Sequence, residues 1–282
     1  KNLKKAKINK NFLFIKGDLN KIFDSKNIIK KIKKIDYVYH FAGHGELIPS
    51  IERPLEYFKN NAYNTVKLLD FVKNNYDVKK FVYAASSSCY GIAKTPTSET
   101  HSINPLYPYA LSKYLGEKLC FHWHKLYKLP TNSVRIFNAY GPRVRTTGLY
   151  GAVFGVFLKQ HLEKKPPTIV GNGKQKRDFL YVTDVAEAFY LAAKTKRNGE
   201  IYNLGANKPI SINKLASLIG GKKVYLPKRP GEPNRSLADI SKIKSDLNWE
   251  PKIDIEDGVK MLIKNINQWK DAPVWTPDSI AK

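Results

Sequence analysis

Lys80-Phe81-Val82-Tyr83-Ala84-Ala85 runs directly into Ser86-Ser87-Ser88. An apolar run this short, rich in aromatic and β-branched residues, reads as a strand buried on both faces, and the serines end it. Asn11 to Lys16 (NFLFIK) reads as a short buried strand before the turn at Gly17-Asp18, and Tyr37 to Phe41 (YVYHF) as another before Ala42-Gly43. Thr131 to Phe137 (TNSVRIF) is a further strand that ends at Asn138. Between them, Asn61 to Asn74 spaces Val66, Leu69, Phe71 and Val72 at helical period, and Tyr107 to Leu126 is a long helix pattern. Strands alternating with helices predict an α/β fold, a doubly wound parallel sheet with helices on both faces. Ligands bind such sheets outside the carboxyl ends of the strands. Asp18, Gly43, Ser86 and Asn138 each follow an apolar strand and so stand at that edge.

Beyond Tyr140 the texture changes. Arg143, Arg145, Thr146 and Thr147 form a polar loop, and Gly151 to Leu162 has a helical pattern. Pro166 to Val170 predicts a strand before the Gly171-Asn172-Gly173 turn. Asp178 to Val182 and Glu200 to Leu204 predict strands around a helix from Thr183 to Thr195. Pro209 to Gly220 holds a short helix, Pro227 to Glu232 a basic loop punctuated by Pro and Gly, and Val259 to Trp269 a last helix. Lys30 to Lys34 reads as the exposed end of a helix.

Composition narrows the classes. The 282 residues are 42% hydrophobic, enough for a sizeable core. The longest apolar run, Gly151 to Leu158, is far short of the roughly 20 residues of a membrane helix, and no signal peptide pattern opens the chain. Two cysteines, Cys89 and Cys120, fit a reducing, cytoplasmic setting better than a disulfide framework. The formal charge of +25 comes mainly from scattered Lys. Nucleic-acid binders concentrate charge in a patch, and guanidinium is the better fork for phosphate, so solvated Lys faces are the simpler reading. Such a field could still help to gather an anionic diphosphate.

The candidate chemistry lies in Tyr109-Ala110-Leu111-Ser112-Lys113. On a helix, residues four apart share one face, with β-carbons about 5–6 Å apart. An ammonium beside a phenol stabilises the phenolate, which a tyrosine titrating near ~10 needs in order to act as a base near neutrality. Ser86 could offer a hydroxyl to the same substrate oxygen, and Asn138 belongs to the same crevice. His122 and His124 flank Trp123 at a spacing that does not face one another, and His40 and His44 have no third ligand in view, so no metal is expected. Cys89 reads as a small core residue.

At these segments the sequence resembles the extended short-chain dehydrogenases/reductases that act on nucleotide sugars. The matching segments are Gly17-Asp18-Leu19, Tyr39-His40-Phe41-Ala42-Gly43, Asn61-x-x-x-Thr65, Ala85 to Gly91, and Tyr109-x-x-x-Lys113. They continue with Arg135-x-Phe137-Asn138-x-Tyr140-Gly141-Pro142-Arg143, Gly171-x-Gly173-x-Gln175-x-Arg177-Asp178-Phe179, Asn203-x-Gly205, Arg229-Pro230-Gly231-Glu232 and Ala238-Asp239, in family order over nearly the whole chain. The resemblance implies a Rossmann-like NAD-binding domain over 1–140 and 177–205. A smaller C-terminal α/β domain for the nucleotide sugar would cover 141–176 and 206–282. It implies Tyr109 as catalytic base, Lys113 to tune it and hold the nicotinamide ribose, and Ser86 on the reacting hydroxyl. NAD would lie along Asp18, Leu19, Phe41, Ala42, Gly43, Asn61, Ala84 and Ala85, with Asp18 at the adenine. The nucleotide-diphosphate sugar would meet Ser87, Ser88, Asn138, Arg177, Arg229 and Glu232. The family opens with a strand, a glycine-rich turn and a helix that cradle the pyrophosphate. No such turn precedes Asn11, so the chain is expected to begin at the family's third strand and to lack the first β-α-β unit.

Dehydrating relatives carry Asp-Glu where this chain has Ser87-Ser88, and a hydroxyl is a poor substitute in proton transfer. The resemblance therefore implies a 4-epimerase of the UDP-glucose or UDP-N-acetylglucosamine type: hydride passes to NAD and returns to the other face of a 4-keto sugar. The alternatives are a dehydratase, a decarboxylase or a 4-ketosugar reductase, and more remotely an RNA-binding relative, although such relatives usually lose Tyr or Lys. Ser236 stands where relatives carry a large aromatic or a small residue, and its size would leave room for an N-acetyl group. The resemblance also implies a homodimer through Asn61–Asn74 and Tyr107–Leu126, with no membrane, metal or nucleic-acid partner.

Overall fold

The computed structural model describes residues 3–21, 32–146, 153–227 and 233–274. Its centre is a parallel four-stranded sheet built from β1 (Tyr37–His40), β2 (Lys80–Ser86), β3 (Thr131–Ile136) and β8 (Glu200–Leu204), in that spatial order. The register pairs Val38 with Phe81, Ala84 with Val134, and Val134 with Tyr202. Pleating sends alternate β2 side chains to opposite faces. Phe81, Tyr83 and Ala85 enter one core with Leu69, Val72 and Cys120. Val82 and Ala84 enter the other with Val185, Phe189, Tyr202 and Trp249.

The first face is covered by α3 (Asn64–Asn75) and α4 (Pro108–Tyr127); α1 (Ile48–Glu52) and α2 (Pro54–Phe58) pack against α4, and a π-helical turn at Lys59–Tyr63 joins α2 to α3. The second face receives α6 (Val182–Lys194) and α8 (Ser241–Leu247). A third core gathers Tyr140, Phe154, Phe157, Leu215 and Leu262 from β4 (Asn138–Tyr140), α5 (Val153–Leu162), α7 (Ile212–Ile219) and α9 (Ile255–Lys264). Three small ribbons frame it. β4 pairs with β7 (Phe179–Tyr181) and β5 (Thr168–Val170) with β10 (Val224–Leu226), both in parallel, while β6 (Lys176–Arg177) pairs with β9 (Ile210–Ser211) antiparallel.

Several expectations are corrected. Asn11 to Lys16 is irregular, and Phe12, Leu13 and Phe14 are exposed. A strand persists only with a neighbour for its hydrogen bonds, and β1 pairs only with β2 among the described residues. Residues 32–34 are irregular rather than helical, and Lys30 and Lys31 lie outside the described residues. The last helix stops at Lys264, and Ile266–Trp269 is a 3-10 turn. The helix Ser241–Leu247 was not anticipated, although Ile243 and Leu247 bury one face of it.

Candidate active site

β2 and β3 deliver their polar ends to a cavity of about 370 Å3 lined by Ser86, Ser87, Ser88, Tyr109, Asn138, Arg177 and Ser236. The serine turn shapes itself: Ser86 caps the 3-10 turn Ser87–Tyr90 by accepting from Ser88 N at 3.2 Å, and the Ser86 and Ser88 hydroxyls lie 2.8 Å apart. Tyr109 enters from the first turn of α4, which Pro108 starts at a position where a missing N–H costs nothing. Burial holds the Tyr109 phenol above its ordinary value, and hydrogen bonding to Ser86 and Ser88 offsets part of that rise. Three hydroxyls thus converge on one corner of the cavity.

Lys113 does not lower the Tyr109 phenol as the i, i+4 spacing suggested. Its ammonium lies 4.4 Å from the centre of the Tyr83 ring, and no hydrogen-bond acceptor meets it among the described residues. Shared helical phase places two side chains on one face, but the long Lys stem chooses its own end point. Burial lowers Lys113 to about 8. A β-carbon added at Gly43 would lie 3.9 Å from Lys113 Nζ and 2.6 Å from Asn61 Oδ1, so the backbone passes close to both. Asn61 accepts from His44 N at 2.7 Å and donates to His44 O at 3.1 Å and Ser112 Oγ at 3.0 Å. Its amide therefore shapes the Gly43-His44 loop and ties it to α4.

Of the remaining expected residues, Asn138 and Arg177 stand on the cavity wall, and the others lie elsewhere or outside the described residues. Asp18 and Leu19 sit in a turn that Asp18 closes by accepting from Asn20 N and Nδ2, and Lys67 Nζ holds Asn20 O at 2.5 Å. Those Asn20 bonds hold the exposed Asp18 carboxyl below its ordinary value. Phe41 is half exposed and packs 4.4 Å from the Phe189 ring on the second face of the sheet, while Ala42 follows β1 in an exposed loop. Ala84 and Ala85 are buried in opposite cores. Arg177 Nη1 donates to Pro233 O at 2.8 Å, and Ser236 Oγ to Asn138 Oδ1 at 3.3 Å. Arg229 and Glu232 lie outside the described residues.

The structure adds Arg235, Gln175, Tyr107, Gly45 and Leu47 to the cavity wall. A lone Arg in a Pro-flanked loop carries no periodicity, so only tertiary placement reveals it. With Arg177 and Arg235 and no Asp or Glu among its described lining residues, the cavity suits an anionic ligand.

Residues 1–262 match the protein family described as GDP-mannose 4,6 dehydratase. The chain belongs to this NAD-dependent nucleotide-sugar epimerase/dehydratase family. This epimerase/dehydratase is 38% identical over 269 residues to the UDP-glucuronate 4-epimerase of Thermodesulfobacterium geofontis, across 93% of this chain and 81% of that one. It is 34% identical over 295 residues to the dTDP-D-glucose 4,6-dehydratase of Mus musculus, across 96% and 80%. It superposes with a TM-score of 0.85 and 34% identity on the UDP-glucuronic acid 4-epimerase of Bacillus cereus, solved with UDP-glucuronic acid and NAD, over 95% of this chain and 85% of that one. A nicotinamide dinucleotide fits the residues present: a buried ammonium, which meets no acceptor among the described residues, stands beside a glycine that brings the backbone close.

Proposed function

We propose that the chain is a UDP-sugar 4-epimerase with Tyr109 as the general base. The carrying observation is the Tyr109, Ser86 and Ser88 hydroxyl cluster in a cavity whose described wall holds no carboxylate. Dehydration requires a proton donor and an acceptor for the C6 oxygen and C5 carbon of the sugar, and serines titrate far outside the working range. Epimerisation at C4 needs only one base that returns the same proton.

In this reading Ser86 and Ser88 orient the sugar 4-hydroxyl, and the phenolate of Tyr109 takes its proton. The chemistry that NAD would supply when bound is reversible hydride transfer at C4, with return to the opposite face of the sugar. Lys113 and the Gly43 backbone would hold the ribose of NAD. Tyr109 then gives the proton back to the oxygen of the inverted alcohol. Asn138, Arg177 and Arg229 hold the nucleotide diphosphate, and the small Ser236 leaves space for an N-acetyl group. The domain of 1–140 and 177–205 carries the cofactor, and 141–176 with 206–282 carries the substrate. The two buried thiols, Cys89 and Cys120, suit a reducing cytoplasm.

Incubation with UDP-glucose, UDP-glucuronate and UDP-N-acetylglucosamine, followed by NMR, is expected to give a mixture of C4 epimers of at least one. A 4-keto-6-deoxy product would overturn this reading in favour of dehydration. Tyr109→Phe is expected to lower turnover by about 10^2–10^4-fold, the usual worth of a general base, without unfolding the protein. We also propose a homodimer through α3 and α4, with Tyr63 of the preceding π turn and Leu111, Leu115, Leu126 and Tyr127 of α4 exposed to solvent. Sedimentation should give twice the 32.2 kDa chain mass, and Leu115→Glu should give monomers.

A further inference from the structure

One turn beyond Lys113 on α4 stands Glu117, fully buried, and its neighbours account for both of its oxygens. Arg135 of β3 donates through Nη2 to Oε1 at 2.5 Å and through Nε to Oε2 at 3.0 Å, and Ser133 Oγ adds a third bond to Oε2 at 2.8 Å. The other guanidinium nitrogen, Nη1, meets Tyr90 Oη at 2.7 Å and Glu99 O at 3.4 Å, and Tyr90 Oη continues to Asn203 Oδ1 at 2.8 Å. Arg135 and Glu117 side chains are 3% and 1% exposed, so this is a fork inside the core.

The surroundings of Lys113 give the fork a meaning. The titratable groups facing it are His40 from β1, Tyr83 from β2, and Glu117 and Cys120 from α4 itself. Burial pushes His40 down to about 3 and lifts Tyr83 and Cys120 well above their ordinary values, so all three are neutral near pH 7. Glu117 is the one carboxylate of the set. At i, i+4 on a shared helical face it is within natural pairing reach of Lys113. A direct Lys113–Glu117 pair would bury the ammonium against its own helix.

We propose that Arg135 is a positioning residue that sequesters Glu117, so that the Lys113 ammonium stays free to serve the nicotinamide ribose. The inference rests on the epimerase reading for its consequence in turnover, but its first readout does not. A planar guanidinium suits the task because two parallel bonds occupy both carboxylate oxygens at once, which a lysine at 135 could not do.

The test uses Arg135→Met and the double variant Glu117→Gln/Arg135→Met in the full-length protein. Lys113 is titrated by NMR with 13C at the lysine Cε, its signal assigned by loss in Lys113→Arg. In Arg135→Met the freed carboxylate should raise the Lys113 midpoint from about 8 by one pH unit or more, weaken NAD binding by calorimetry and lower turnover at least tenfold. The double variant removes the competing anion and should restore NAD affinity and the turnover to within threefold of wild type. A purely structural fork predicts reduced melting temperatures with the Lys113 midpoint and NAD affinity unmoved, and that result would overturn the proposal. If Arg135→Met fails to fold, the double variant decides, because neutral groups of similar size often replace a buried pair without loss. A folded double variant that binds NAD weakly sinks the proposal. An unfolded one would show that the fork is needed for folding, and it sinks the proposal as well. Absence of epimerisation in the wild type, with the predicted midpoint and NAD-affinity changes intact in the variants, would instead count against the epimerase reading alone.

Discussion

His40 shows how much one side chain can reveal. Thr65 Oγ1 gives its proton to Asn61 O at 2.8 Å, so its 2.8 Å contact with His40 must be accepted from Nε2–H, which fixes the tautomer. Burial holds this imidazole down to about 3 against 6.5 in the open chain. Between those values the unfolded state binds a proton that the folded state refuses, so stability falls as pH drops below 6.5 and keeps falling toward 3. Each unit costs about 1.4 kcal/mol. Urea unfolding at pH 7 and pH 5 should show that loss in the wild type, and His40→Gln should remove that share of it. Tyr109, Lys113 and Ser86 were legible one by one in the sequence, because each sits in a short pattern tied to a strand end or a helix turn. The direction in which Lys113 Nζ points was not, since four rotatable bonds answer to the packing around Tyr83 and Gly43 rather than to spacing.

At the scale of elements, α4 reaches the sheet through a glycine. A β-carbon on Gly116 would overlap the Tyr83 hydroxyl and lie 2.6 Å from Asn61 O, in the π turn. The helix packs so closely that Tyr83 Oη donates to Lys113 O at 3.2 Å. Gly116→Ala should therefore destabilise by about 1–3 kcal/mol despite alanine's better helix propensity, because overpacking outweighs it. Urea midpoints would measure the loss, and a gain in stability would refute the close approach. The strands Lys80–Ser86 and Glu200–Leu204 were readable from apolar runs, as was α6 from its period. The π turn was not, because a single extra residue in a helix leaves no mark on a hydrophobic pattern.

At the scale of the whole molecule, Asp178 holds three loops together between the cores. Its Oδ1 accepts from Ala206 N at 2.9 Å and Lys208 N at 3.4 Å, and Oδ2 accepts from Ala238 N at 3.0 Å. Asp178→Asn puts an amide NH2 where one acceptor stood, so at least one buried N–H loses its partner. The expected cost is about 1–3 kcal/mol, read as a lower urea midpoint with an unchanged m-value. If the midpoint does not move, the aspartate is not the tie.

The alternation of apolar strands and helices determined the parallel sheet, because burial on two faces writes itself into composition and period. Short-range spacing likewise determined which serines, tyrosine and lysine would stand near the carboxyl edge. Only the tertiary structure decided that Asn11–Lys16 forms no strand, that Arg235 lines the cavity, and that Arg135 grips Glu117 on α4. Those outcomes depend on partners far away in the chain. Hydrogen bonds and charges act over a few ångströms in space, and a linear order of residues does not state which distant groups will share that space.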